Sequence, residues 1–185
     1  DLPAIASLLA QARRAGGGER LTMLDLTDKQ IGEYFKRSYT AVDGLWFMKV
    51  EDRYGFDTAL DIDDEVWEVM PKIQARKLKS LGNLEDGLDA LRQCLITKLT
   101  LDGFVFQIEQ SDDDSTLKIN LSECPWHNIM IKSGREHLSG KVGTRICNTE
   151  YAVWASEFGE TINFELHDQI CEGEKCCTLL FQATK

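Results

Sequence analysis

No apolar run in this sequence approaches the ~18 to 20 residues of a membrane-crossing helix, and no charged-then-apolar leader is visible. That argues against a helical membrane anchor. Positive charge is scarce: 21 Lys and Arg stand against 31 Asp and Glu, a formal net charge of −10. Such a surface repels nucleic acid and anionic lipid, so neither is an expected partner. Internal repeats, low-complexity tracts, a double Cys-x-x-Cys, and the zinc-protease, EF-hand and dinucleotide-binding patterns are all missing. Gly134 to Val142 falls short of a phosphate loop, with one residue too many between the glycines and Val142 where a hydroxyl is needed for Mg²⁺. The acids Asp112 to Asp114 read as a solvated hairpin tip rather than a calcium loop.

What is present is apolar residues in quantity. At 185 residues and 43% hydrophobic, the chain can bury one core, or one core with a helical annex. A core of that size has no need of disulfide staples. The six cysteines are therefore expected as reduced thiols in a cytoplasmic protein.

Apolar spacing predicts helices in the N-terminal half. Leu2 to Ala15 gives a short helix, ended by Gly16-Gly17-Gly18 as a hinge. A second runs from Thr27, with Gln30 completing a capping box, to about Tyr54 before Gly55. Asp61, Asp63, Asp64 and Glu65 are read as the start of a third helix, bent or shifted by Pro71. A fourth spans Leu84 to about Thr100.

The period then changes to two. Phe104, Phe106 and Ile108 mark one strand, and Leu117, Ile119 and Leu121 a second. Helices over Pro125 to Lys132 and Val142 to Phe158 follow. A closing hairpin then sets Ile162, Phe164 and Leu166 against Thr178 to Gln182. The expected fold is α+β, N-terminal helices followed by a ββααββ unit with an antiparallel sheet. The parts are 1–18 (helix and hinge), 19–103 (helical region) and 104–185 (metal- and ligand-binding unit).

The cysteines carry the chemistry. Cys171 and Cys176 flank the final hairpin turn, and Gly173 lets that loop wrap tightly. Cys147 is placed early in the last helix and Cys124 just before another, where a helix dipole favours a thiolate. Four thiols on separate elements can converge on zinc or an iron–sulfur cluster; packing as small buried hydrophobes is the competing account. Cys94 fits an apolar helix face, and Cys177 should point to the opposite side of its strand from Cys176.

The stretch from Cys124 to Phe181 resembles the 4-vinyl reductase domain, through Trp126, Cys147, Asp168-Gln169-Ile170-Cys171, Gly173, Cys176 and Phe181. That resemblance implies zinc held by Cys147, Asp168, Cys171 and Cys176 beside a small-molecule pocket lined by Trp126. It departs from the family in a shorter cysteine loop, in Asp for Glu, and in the extra thiol Cys124, a rival to Asp168 as fourth ligand. The whole chain is also similar to an uncharacterised prokaryotic family related to L-2-amino-thiazoline-4-carboxylic acid hydrolase-like proteins. Asp43-Gly44-Leu45-Trp46-Phe47, with Glu51 and Gly55, carries that likeness, which implies a hydrolase.

Other residues extend these readings. Asp43, Phe47 and Glu51 recur every four residues and share a helix face, as ligand contacts or as packing with a buried acid. Tyr151 and Trp154 lie one and two turns beyond Cys147, so they edge a pocket with Trp126 or fill an aromatic core. His127 or His137 with Cys147 would make a nucleophilic pair if the side chains come within ~3 Å. His167 is a reserve metal ligand beside Asp168. The reading that unites most of these is a small-molecule-binding or sensory module with a structural zinc site. A hydrolase of small cyclic C–N or C–S compounds and an iron–sulfur redox accessory are the alternatives. The N-terminal helices would cover the pocket or pair two copies.

Overall fold

The structure is a computed structural model and describes residues 24–111 and 115–184. The helix expected over Leu2 to Ala15, its glycine hinge and the acidic hairpin tip lie outside the described residues. The chain falls into two compact units, Asp1–Asp43 and Gly44–Lys185. Helix α1 covers Asp28–Tyr54, and every element after it belongs to the second unit.

At the start of α1 the capping box is formed. The Thr27 amide donates to Gln30 Oε1 at 2.9 Å, and the Gln30 amide donates to Thr27 Oγ1 at 3.3 Å. The following helices are α2 (Phe56–Trp67), α3 (Met70–Gly82) and α4 (Leu88–Asp102). Pro71 sits in the first turn of α3, where its missing N–H would have had no helical partner. It divides the expected third helix into two. The acids Asp61 to Glu65 therefore lie in the body of α2 rather than opening a helix. Gly103 closes α4 in the left-handed region at φ 81°, which frees the chain to enter a strand.

The C-terminal part runs β1 (Val105–Gln110), β2 (Thr116–Glu123), α5 (Pro125–Lys132), α6 (Glu136–Ser156), β3 (Ile162–His167) and β4 (Cys177–Ala183), with a short 3₁₀ turn at Ile170–Glu172. The fold is α+β with one antiparallel four-stranded sheet in the order β1-β2-β4-β3. Alternation gives the sheet two unlike faces. Leu117, Ile119 and Leu121 of β2 and Cys177, Leu179 and Phe181 of β4 point inward. They meet Leu91, Leu95 and Leu99 of α4 and Tyr151, Trp154 and Ala155 of α6 in the main core. The other face carries Lys118, Asn120 and Thr178 and has a polar lining.

A smaller core of Leu60, Trp67 and Ile146 joins α2 to α6, with Phe47, Phe56, Trp126 and Val142 packed around it. Ion pairs clasp its rim. Arg145 on α6 reaches Asp61 at 2.6 Å and Asp64 at 2.7 Å on α2. The acids read as a helix start thus serve as docking points between helices.

Candidate functional site

The 21-residue α6 begins at Glu136, earlier than Val142, and this shifts Cys147 to mid-helix. The helix dipole acts within the first turn only, so it does not stabilise a Cys147 thiolate. Cys124, by contrast, is the N-cap of α5 in extended conformation, and the backbone N–H groups of His127 and Trp126 turn towards its sulfur.

The sulfurs sort into an inner group and an outer one. Cys177 faces the core opposite Leu121 of β2, and its Sγ accepts the Ile170 amide at 3.3 Å. Cys171, one residue on, lies against α6: a Cβ built on Gly143 would come within 2.7 Å of its Sγ. Only glycine admits that approach without displacing the sulfur. Gly143 is one helical turn before Cys147, and Cys124 follows β2 within three residues of Leu121. Cys124, Cys147, Cys171 and Cys177 therefore share one interior region reached from four elements, and Cys147 feels the charge of the other three.

Cys176 and Asp168 lie elsewhere. Both line an open cleft of about 460 Å³ on the outer sheet face, with Gln107, Lys118, Asn120, Ser122 and Thr178. Thr178 Oγ1 lies 3.2 Å from Asn120 Oδ1, 3.4 Å from Asp168 Oδ2 and 3.9 Å from Cys176 Sγ. Asp168 holds a left-handed backbone at φ 46° as the chain leaves β3. His167 is exposed on the same side, 3.1 Å from Glu165 Oε2. Cys176 and Cys177 do face opposite ways, but the inward one is Cys177. The zinc set Cys147, Asp168, Cys171 and Cys176 is thus split across the sheet.

Electrostatics keep the inner thiols protonated. Loss of water pushes the Cys147 thiol well above its usual range, and neighbouring Glu150 and the other thiols add to the rise. Burial raises Cys124 and Cys171 as well, and pushes Cys177 up to about 11. An activated nucleophile needs the reverse shift. The inner donors suit zinc by chemical type. As the side chains stand, however, no group of three or more His, Cys, Asp or Glu among the described residues is arranged to hold a metal ion.

The expected ligand-binding residues also divide. Trp126 and Phe47 belong to the satellite core: Trp126 meets Trp67 edge-on at 6.2 Å between ring centroids, and Phe47 meets Phe56 at 5.7 Å. Tyr151 and Trp154, 2% and 0% exposed, fill the main core. Trp126 touches both clusters. Asp43 is half-buried on α1, and the space beside Gly44 is open. His137 is exposed near the start of α6, whereas His127 buries its Nδ1 without a hydrogen-bond partner.

Sequence reasoning passed over one buried pair. Lys98 of α4, 4% exposed, and Glu150 of α6 meet at 2.5 Å, an ion-pair distance without the angles of a hydrogen bond. The ammonium also lies 3.4 Å from Asp102 and over the rings of Phe104 and Tyr151. The signal was available: Lys98 stands in the apolar stripe Leu91, Cys94, Leu95, Leu99, and Glu150 follows Cys147 by three residues.

Among the described residues no helix is long and apolar enough to cross a membrane. No curated protein matches the chain. Among solved structures, subunit 3 of a trafficking protein particle complex from Naegleria fowleri, covalently bound to palmitic acid, superposes with a TM-score of 0.48. It is 13% identical, over 85% of this chain and 98% of that one. The phenol-responsive sensory domain of the transcription activator PoxR, with phenol, gives a TM-score of 0.44 and 14% identity over 96% and 87%. The sequence pattern of a family of unknown function, DUF6125, matches residues 25–178, and the chain belongs to that family.

Proposed function

We propose that this chain is a small-molecule-binding module of the sensory kind, with its ligand taken up beside Trp126. The observation that carries this is the position of Trp126. It links the two apolar clusters, stands at the start of the helix capped by Cys124, and neighbours His127, whose buried Nδ1 lacks a partner. A small aromatic molecule with one hydrogen-bonding group would find an apolar partner in Trp126 and a polar one in His127 Nδ1. The likeness to the 4-vinyl reductase domain points the same way.

Zinc is part of the proposal as a structural staple. The donors favoured are Cys124, Cys147, Cys171 and Cys177, which lie on one side of the sheet, rather than Cys176 and Asp168 on the other. Holding the ion would require these side chains to close up and shed their protons, and four thiolates would leave no position for a reacting water. The raised Cys147 thiol weighs against a Cys/His hydrolase. A reduced, cytoplasmic setting fits thiols of this kind.

Metal analysis of anaerobically purified protein tests the staple. About one zinc per chain is expected, lost in Cys171→Ser and Cys177→Ser but kept in Cys176→Ser. Brown protein absorbing near ~400 nm would replace zinc by an iron–sulfur cluster. Colourless protein without metal would sink both. For the pocket, phenol and indole are the probes: either should raise the melting temperature of the parent and not of Trp126→Ala. No shift with a wider set of small aromatics would remove the ligand reading.

A further inference from the structure

Helices α2 and α3 bury one stripe and expose another, and both continue through the joint between them. The buried stripe is Leu60, Trp67, Pro71 and Ala75. Glu68 and Val69 keep right-handed torsions at the joint (φ −72°, ψ −20° and φ −111°, ψ −44°), so the two helical faces stay in phase. On the opposite side stand Ile62, Val66, Val69 and Ile73, exposed by 42%, 50%, 53% and 58%. Their spacing is four, three, four. That is the d-a-d-a order of a coiled-coil seam, with β-branched residues at every position. On a solvated helix face β-branched side chains are among the weaker helix formers, so propensity gives no reason for them there. A contact does.

We infer that this stripe docks against the same stripe of a second copy, antiparallel, about a two-fold axis near the α2–α3 joint. The flanking charges choose both the partner and the direction. In the heptad set by Ile62 and Val66, Glu65 and Lys72 occupy the g positions and Lys77 an e position. Antiparallel seams bring g against g, so Glu65 of each copy meets Lys72 of the other, twice over by symmetry. A parallel pair would bring g against e and oppose Lys72 to Lys77. The face is therefore self-complementary in one orientation only. Because α2 is clasped to α6 through Asp61 and Asp64 on another side, docking leaves that clasp untouched. About three turns of seam make a small interface, so association should be reversible and rise with concentration. This inference stands apart from the ligand and metal readings.

Sedimentation equilibrium on the full chain, across about two decades of concentration, tests it. The parent mass should climb from one chain towards two. Val66→Asp/Val69→Asp should stay monomeric with an unchanged circular dichroism spectrum, since both side chains are exposed. Glu65→Lys and Lys72→Glu should each weaken self-association at least tenfold, yet a mixture of the two should form a mixed dimer, because each then offers the charge the other lacks. A parent that stays monomeric throughout overturns the inference, and so does a dimer indifferent to the Val66/Val69 pair. A mixture that fails to pair while both singles dissociate would overturn the antiparallel register.

Discussion

Lys98 and Glu150 meet at 2.5 Å inside the wall between α4 and α6, both nearly inaccessible to water. Burial lowers the tendency of Lys98 to stay charged, but Glu150 and Asp102 together outweigh it and raise its pKa. The pKa of Glu150 is raised too, which for a carboxyl disfavours the charge: burial raises it, and Lys98 offsets only part of this. The ammonium is the better satisfied partner, since it has a second carboxylate and two aromatic faces.

Removing the ammonium alone should be costly. Lys98→Met strands Glu150 and is expected to lose about 3–5 kcal/mol in urea unfolding. Lys98→Met/Glu150→Leu, which removes both charges at similar volume, should recover most of that loss. A double variant as unstable as the single would mean that the pair does not carry the effect.

The same pair gives stability a direction with pH. A raised folded-state value for Lys98 means its contribution is complete below the ordinary lysine value of 10.5 and fades as pH climbs through the folded value. Unfolding free energies measured upward from neutral pH should therefore fall more in the parent than in the Lys98→Met/Glu150→Leu variant. Parallel curves would contradict the assignment.

Thiol reactivity should follow the two groups of sulfurs. Cys147 and Cys177, the inner pair most strongly pushed up, should be the last alkylated by iodoacetamide at pH 8 in the native state. Cys176, in the open cleft, should react before either. Peptide mapping by mass spectrometry reads the order directly.

Gly143→Ala tests the contact between α6 and the 3₁₀ turn. Alanine is the better helix former by about 1 kcal/mol, but its Cβ would stand 2.7 Å from the Cys171 sulfur. The expected result is a displaced Cys171 that alkylates several times faster, with little net change in melting temperature. Unchanged Cys171 reactivity would show that the sulfur does not rest there.

The clasp on α2 should be modest and sensitive to salt. Arg145 is partly exposed and its ion pairs are screened by solvent, so Arg145→Ala is expected to lower the melting temperature only slightly. Amide exchange in α2 should quicken at low ionic strength and converge with the parent at high salt.

Much of the architecture could be read from residue patterns. The two-residue period around Ile108 and Ile119 marked the strands, and Thr27 with Gln30 marked the start of α1, because these signals are local. Pro71, compatible by sequence with a bend or a shifted beginning, opens a separate helix because a proline fits the first turn; Asp61 and Asp64, which look like a helix start, instead pair with Arg145 across space. The site was harder to foresee. Alternation established that Cys176 and Cys177 face apart, yet not which is inside. That choice rests on the register between Cys177 and Leu121, a pairing between distant segments. Tyr151 and Trp154 illustrate the same limit: aromatic spacing on a helix is alike whether the rings meet a ligand or Phe158 and Phe164.

The order β1-β2-β4-β3 has a bearing on how the chain is made. Strand β3 has β4 as its neighbour in the sheet, and β2 waits for the same strand on its second edge. During synthesis the first hairpin and both of its following helices therefore emerge well before the last strand can seal them, with the second edge of β2 still unpaired. A nascent polypeptide of this kind is a natural client for a chaperone, and premature termination just ahead of Cys177 would yield aggregate rather than a smaller folded product.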